Sequence, residues 1–386
     1  MKEAATTRPI RVLELRSVRG TGGGPEKTIL LGAALSDPQR FRVTVCYIRD
    51  LRDEVFAIDE RAQHLDIDYV EVFERHSFDP RIWRALRRLV RDRGFDIIHS
   101  HDYKTNLIGL MLARAQHARP LSTVHGWTGQ SPREIRLYYP LDKKILARFP
   151  RLIVVSGEIR DELVRTGTKP NRIRVVLNGI DPTRFRRVQG REEEVRSALA
   201  LGADDIVIGA VGRTERQKRF DILLDVVADL RKRRPNLRVV VVGDGSLRPA
   251  LEAQACRLGL GSTALFLGQR TDVPDLHHAF DLLVQSSEYE GTPNIVLEAM
   301  ALETPIVATD VGGTRDLTQN EVHALIVPPR DPPALAAAIS RAIDDPAATA
   351  ARVRAARDRV EGPLSFENRM RTVEGIYEEL VAADVS

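Results

Sequence analysis

A dozen short apolar runs, rich in β-branched residues, alternate with longer helical patterns along the whole chain. In the first half they are IRVLEL (10–15), RVTVCYI (42–48), DIIHS (96–100), LSTVH (121–125), RLIVVS (151–156) and IRVVLNG (173–179). The second half holds IVIGAVG (206–212), LRVVVVG (237–243), ALFLG (264–268), DLLVQS (281–286), PIVAT (305–309) and ALIVP (324–328). Strands that are continuously apolar are buried on both faces, which is the signature of parallel sheets covered by helices. So many strands exceed one comfortable sheet, and the expected fold class is α/β, with two doubly wound parallel-sheet domains.

The polar stretch GIDPTRFRRVQGREEE (179–194) carries no strand pattern and reads as the linker. Expected domains are therefore 1–185 and 186–365, followed by a helix over 366–386 whose N-cap is Ser365. Cys46 and Cys256 are the only cysteines among 386 residues, so a disulfide framework is excluded. No window of 18 uncharged apolar residues offers a membrane span. The first residues lack a long apolar segment of the secretory kind, and a reducing cytoplasmic location is expected.

The net charge of +4 conceals a split: residues 1–190 carry 35 Lys+Arg against 23 Asp+Glu, whereas 191–386 carry 23 against 31. Opposite signs suggest domains with different partners. Two stretches concentrate the positive charge. RIWRALRRLVRDR (81–93) is equally well a solvated helix face, with Ile82, Leu86 and Leu89 as its core stripe. REIRLYYPLDKKILARFPR (133–151) interleaves cations with Leu137, Tyr138, Tyr139, Leu146 and Phe149, which suits an anionic membrane surface or an anionic acceptor. No nucleic-acid recognition motif accompanies the charge, and a nucleic-acid partner is not expected.

Ligands of doubly wound sheets sit at the carboxyl ends of strands. After the first strand, Gly22, Gly23 and Gly24 precede Pro25, suiting either close approach of a ligand to a helix N-terminus or a tight turn without one. After IVIGAVG, Arg213 and Lys218 put two cations at a strand end, where they could grip a diphosphate or simply be solvated. VVVVGDGSLRPALE (239–252) adds Gly243 and Asp244, the latter also readable as a plain turn residue.

The segment 286–313, SSEYEGTPNIVLEAMALETPIVATDVGG, says most. Thr292 is the expected N-cap and Pro293 the first helical residue. Glu298 lies among Ile295, Val296, Leu297, Ala299 and Met300, so it should be buried and must find hydrogen-bond donors, from the protein or from vicinal hydroxyls of a ligand. Glu290, ahead of the helix, could accept from a second set of hydroxyls, with the N–H groups near 293–295 facing a phosphate. Two carboxylates flanking an anion site fit a nucleoside diphosphate sugar.

These residues resemble the signature of retaining glycosyltransferases of family 4, which have the GT-B fold: EGTPNIVLEAMA with Glu290 and Glu298, then PIVATDVGG. GGGPEKTI, STVHG, LNGID, GRTERQK and VVVGDGSLRPALE are similar to further landmarks, in the family's order and over nearly the whole chain. The resemblance implies two Rossmann-like domains facing a cleft, the first for the acceptor and the second for the donor, with the last helix crossing back to the first. It implies catalytic roles for Arg213, Lys218, Glu290 and His125. Arg213 and Lys218 would neutralise the diphosphate, while Glu290 and His125 would contact the transferred sugar. Nucleotide-sugar binding would fall to Glu298, Gly291, Thr292, Pro293, Asn294, Ile295, Gly243, Asp244, Gly22, Gly23 and Gly24.

The chain departs from the family pattern at Arg219 and at Glu303, where glycine is usual. Glycine at the second place suits a left-handed helix end, where another residue costs about 1 kcal/mol or ends the helix otherwise. His99 and His101 have a metal-like His-x-His spacing with no third ligand close by in sequence, and are expected to line the cleft or to be structural. The resemblance implies no metal or other cofactor. The expected activity is transfer from a UDP- or GDP-sugar to a glycan or lipid-linked acceptor, in the cytoplasm or at the inner face of the membrane. Nucleotide-sugar 2-epimerisation and non-catalytic nucleotide-sugar binding are the alternatives.

Overall fold

In the computed structural model, which describes residues 8–76, 79–127 and 132–382, thirteen strands form two all-parallel sheets. The first holds β1 (Ile10–Ser17), β2 (Phe41–Asp50), β3 (Asp68–Glu74), β4 (Ile97–Ser100), β5 (Arg119–Val124), β6 (Arg151–Val154) and β7 (Ile173–Val175). The second holds β8 (Ile206–Val211), β9 (Leu237–Val242), β10 (Ala264–Gly268), β11 (Leu282–Gln285), β12 (Ile306–Thr309) and β13 (Leu325–Val327). The orders are β3-β2-β1-β4-β5-β6-β7 and β10-β9-β8-β11-β12-β13. Both sheets begin in the middle, grow to one edge, then return and grow to the other. Each therefore has a switch point, between β1 and β4 and between β8 and β11, where a crevice opens beyond the strand ends.

Burial on both faces explains the continuous apolar runs. Along β9, Val239 and Val241 belong to one core cluster and Val240 and Val242 to another, on opposite faces. Along β1, Leu13 and Leu15 pack toward the helix Pro80–Arg93, while Val12 packs with Val373, Ile376 and Tyr377 of the helix Phe366–Ala382.

Three expectations are corrected. The strand β3 was not foreseen, because DYVEVFE alternates apolar with acidic residues, as a half-exposed edge strand does. On the basic helix the third core position is Val90, one full i+4 step beyond Leu86, and Leu89 is only partly buried. The chain divides into Met1–Val176 with Arg369–Ser386, and Leu177–Asn368, so residues 177–185 go with the second unit and not the first. Packing gives the reason: Ile180 is buried against Leu283 and Val296, and its backbone bridges to Ser365. Arg357 also donates to the carbonyls of Pro182 and Phe185 at 2.9 Å each.

Candidate active site

In the second unit, the loops after β8 and β11 meet at the switch point. Gly212 directly follows β8 with φ +151, and a Cβ there would stand 2.8 Å from Lys218 Cε, so the missing side chain makes room for the lysine stem. A short 3-10 turn, Arg216–Lys218, then brings Lys218 back over the strand end. Lys218 Nζ donates to Glu290 Oε1 at 2.5 Å, and Ser287 Oγ donates to the same oxygen at 2.6 Å. Gln217 Nε2 donates to Tyr289 O at 2.8 Å and reaches Glu290 Oε2 at 3.4 Å. Lys218 and Glu290 retain only 14% and 8% of their side-chain exposure, so this is a largely buried ion pair. Arg213 is exposed, with Nη2 3.5 Å from Gln217 Oε1.

The structure brings Arg213, Lys218 and Glu290 to one place, and it shows what the sequence did not, that the cation and the acid hold each other. Gln217 and Ser287, which complete the shell around Glu290, were missed too. They are short polar residues in loops and carry no pattern of their own.

The helix after β11 runs Asn294–Ala301 with Pro293 as its N-cap, so it begins one residue later than expected and Thr292 lies just ahead of the cap. Pro293, with φ −74 and ψ 102, is still extended, and the helix begins beyond it. Glu298 is buried in this helix, as its apolar neighbours require, and Ile295 joins the same core. Asn294 Oδ1 accepts from Asn178 Nδ2 at 3.1 Å.

Several glycines serve the backbone itself. A Cβ on Gly243 would lie 2.0 Å from Gly212 O, and one on Gly313 would lie 2.0 Å from Gly291 O. The turn after β9 is therefore pressed against the loop after β8, and Gly313 N donates to Gly291 O at 2.7 Å. Asp244 is the turn residue, its Oδ1 accepting from Gly245 N at 2.8 Å. At both departures from the family glycine the backbone is left-handed, with φ +50 at Arg219 and +54 at Glu303. Arg219 offsets the strain by pairing with Asp221 and Glu288, whereas Glu303 is exposed.

In the first unit, the glycine loop is held by the chain. Gly20 N donates to Asp53 Oδ2 at 2.7 Å and Gly23 N to Glu26 Oε2 at 2.5 Å. Gly23 is the N-cap of the helix Gly24–Leu35, which contains Pro25, and the buried Glu26 carboxylate, paired with Arg16, occupies the place an anion would take. Gly22, at φ +69, leaves no room for a Cβ, which would meet Glu26 Cγ at 2.6 Å.

The carboxyl ends of β4 and β5 carry a buried polar cluster. His99 and His101 do have a third group beside them: Glu14 of β1, 85 residues before His99, and the ligand-type atoms of all three lie within 4.8 Å of one another. Those atoms are engaged in hydrogen bonds. Glu14 Oε1 accepts from Tyr377 OH at 2.7 Å and lies 3.1 Å from His99 Nδ1, and Oε2 faces His101 Nε2. His99 Nε2 is 2.7 Å from Thr123 Oγ1, and His101 Nδ1 is 3.1 Å from His125 Nε2. Burial opposes charge on Glu14, but the imidazoles of His99 and His101 outweigh it and hold the carboxyl well below its usual range. Burial pushes His101 down to about 4, and it also pushes His125, which faces Arg16 and His101, well below the usual imidazole range.

The family model described as Glycosyltransferase Family 4 matches residues 22–184, and that described as Glycosyl transferases group 1 matches 191–359. A D-inositol 3-phosphate glycosyltransferase from Saccharomonospora viridis is 32% identical over 349 residues, 83% of this chain and 80% of that protein. The chain belongs to glycosyltransferase family 4. Among other family 4 relatives, the UDP-Gal:alpha-D-GlcNAc-diphosphoundecaprenol alpha-1,3-galactosyltransferase of Escherichia coli is 27% identical, over 72% of this chain and 77% of that one. The fold is also that of HepE from Anabaena solved in complex with UDP, at TM-score 0.84 and 21% identity over 96% of this chain and 100% of that one. Sucrose-phosphate synthase from Thermosynechococcus elongatus follows at TM-score 0.81 and 24% identity, over 97% and 100%. The chain is a glycosyltransferase with the two Rossmann-like domains of the GT-B fold.

Proposed function

We propose that this glycosyltransferase moves a sugar, with retention, from a UDP- or GDP-sugar to a glycan or lipid-linked acceptor. The observation that carries the reading is the meeting of Arg213, Lys218 and Glu290 at the switch point of the second sheet, one turn ahead of the helix bearing Glu298. Glu298 accepts from the ribose hydroxyls and Glu290 from hydroxyls of the sugar. As the bond from the anomeric carbon to the diphosphate oxygen breaks, negative charge grows on the diphosphate, and Arg213 and Lys218 stabilise it. The acceptor hydroxyl attacks on the face the diphosphate is leaving, and its proton passes to that diphosphate. No step of this reading uses a metal, so turnover is expected to survive dialysis against a chelator. Relatives support the donor and acceptor classes: one is named for UDP-galactose and a diphosphoundecaprenol acceptor, and a protein of the same fold was solved with UDP.

A panel of UDP-, GDP- and ADP-sugars tests the reading by thermal shift and by transfer, because a ligand that binds only the folded chain raises its stability. Glu298→Ala is expected to weaken the nucleotide's shift. Binding unaltered by Glu298→Ala and turnover unaltered by Lys218→Ala would refute the site.

The acceptor side works at an anionic membrane surface. Ile135, Leu137 and Leu141 are about half exposed within the basic stretch, and Tyr103, Leu107 and Met111 are exposed at i, i+4 and i+8 of the helix Tyr103–Gln116. Tyr103 stacks on Tyr138 at 5.5 Å, so the two groups form one apolar strip beside Arg133, Arg136 and Lys144. Among the described residues no helix is long and apolar enough to cross a membrane. Co-sedimentation with vesicles containing phosphatidylglycerol should fall when Leu137 and Leu141 become serine. Binding indifferent to anionic lipid and to salt would overturn the assignment.

A further inference from the structure

One buried carboxylate in the first unit holds two arginines and leaves both largely free. Asp50 ends β2 in register with Glu74 at the end of β3, and both acids are buried. Arg52 Nε and Nη2 donate to Asp50 Oδ1 and Oδ2 at 3.0 and 2.9 Å, and Arg19 Nη2 donates to Oδ2 at 2.6 Å. Lys104 pairs with Glu74. Two acids thus carry three cations, and the surplus positive charge sits on the arginines. Their side chains are 66% and 67% exposed, and among the described residues neither guanidinium pairs with a second acid. Most N–H donors on the pair therefore remain unused. Guanidinium forks braced from behind by a buried acid are set for a phosphate before it arrives, which spares the side-chain ordering that binding otherwise costs.

Hydrogen bonds join this corner to the exposed apolar strip. Lys104 lies in the first turn of the helix Tyr103–Gln116. Asp102, the N-cap of that helix, accepts at 2.8 Å from the backbone N–H of Ser17, two residues before Arg19. Leu51 N donates to Glu74 O at 2.9 Å. The N-terminal end of the helix is thereby tied to the ends of β1, β2 and β3, where the arginines stand. From there Tyr103, Leu107 and Met111 carry exposed apolar surface away over roughly 12 Å of helix. Leu51 and Val55 add exposed apolar surface at the cationic end.

We propose that Arg19 and Arg52 bind the phosphate of a lipid-linked acceptor, whose chain lies along Tyr103, Leu107 and Met111. The proposal deepens the reading that the acceptor side works at an anionic membrane surface, and it rests on that reading. A phosphate ester on an apolar chain matches the corner in both its parts, the anion meeting the forks and the chain meeting the strip. A free anion has no use for the strip. A bulk phospholipid headgroup has no need of braced forks, because unordered cations attract an anionic surface equally well.

Isothermal titration of the full chain with farnesyl phosphate tests this, with excess UDP and GDP present to keep the phosphate out of the donor site. Arg19→Gln and Arg52→Gln are each expected to weaken binding roughly ten-fold or more. Each leaves Asp50 one arginine, so the buried carboxylate stays paired. Arg52→Lys keeps the charge without the fork and should fall between. Inorganic phosphate should bind roughly ten-fold or more weaker than farnesyl phosphate, and Leu107→Ser should narrow that gap. Phosphate bound as tightly as its farnesyl ester would overturn the proposal in favour of a free anion. Co-sedimentation with phosphatidylglycerol vesicles separates the remaining source and should change little in either glutamine variant. Loss of vesicle binding with farnesyl phosphate binding kept would make the arginines a headgroup anchor, and the proposal would fall. Farnesyl phosphate binding indifferent to both variants overturns it as well. A chain that turns over no nucleotide sugar fails the functional reading, while these titrations still decide the arginine site.

Discussion

Lys218 Nζ and Glu290 Oε1 are 2.5 Å apart, so the cation assigned to the diphosphate and the acid assigned to the sugar hold each other in the unliganded chain. The pair is largely buried, and losing one member strands the other away from water. Lys218→Ala is expected to cost about 3–5 kcal/mol of stability together with most of the turnover. Combining Lys218→Met with Glu290→Gln should return most of the stability and none of the turnover. Urea denaturation beside a transfer assay separates the two effects. Arg213 is exposed and outside the pair, so Arg213→Ala should lower turnover roughly 100-fold with stability unchanged. Equal stability losses at the two positions would contradict this division.

Tyr377→Phe removes one of three donors to the buried Glu14 carboxylate while keeping the ring. Hydrogen bonds to charged groups contribute about 1.5–3 kcal/mol, and a loss of that size is expected in chemical denaturation. A denaturation midpoint equal to that of the unaltered chain would show that the carboxylate does not depend on the tyrosine.

Burial raises the Asp142 carboxyl to about 6, although Asn106 Nδ2 and Trp127 Nε1 donate to it at 2.8 and 3.0 Å. In the unfolded chain this carboxyl ionises near its ordinary value of 3.8. Between those values the folded state holds more protons than the unfolded one, so stability falls as pH rises from about 4 to about 6 and is level above that. The full loss is on the order of 3 kcal/mol. Asp142→Asn should remove this component, seen as a pH-dependent gap between the unfolding free energies of the two proteins. Parallel profiles would rule it out.

Glu303 is exposed and left-handed, at φ +54, where the chain turns out of the helix Asn294–Ala301. A non-glycine residue there costs about 1–2 kcal/mol, and glycine gives back part of the gain through its freer unfolded state. Glu303→Gly is thus expected to stabilise the second unit by up to about 1 kcal/mol. Arg219→Gly should not, since it forfeits the pairs with Asp221 and Glu288. A destabilised Glu303→Gly in thermal denaturation would mean the glutamate makes a contact worth more than its strain.

Much of this architecture was legible because burial on two faces writes unbroken apolar runs, and twelve of the thirteen strands carry one. The edge strand β3 escaped since only one side of it needs apolar residues. In the second unit, Arg213, Lys218 and Glu290 could be placed together because each follows a strand that ends at the switch point. Their mutual pairing could not, since nothing in a linear pattern says whether a cation awaits a ligand or already has a partner. Glu14 was invisible for another reason. It is one acid inside an apolar strand, and its partners are 85, 87 and 363 residues away.

The long reach of Tyr377 back to Glu14 also has a meaning for biosynthesis. At roughly 5–20 residues per second, a ribosome adds the tyrosine tens of seconds after the glutamate. Until then the first sheet lacks the hydrophobic cover that Val373, Ile376 and Tyr377 give to Val12 and Phe41. A nascent chain therefore carries its first sheet partly uncovered while the whole second unit is being made, and completes the cover only once the helix Phe366–Ala382 has left the exit tunnel.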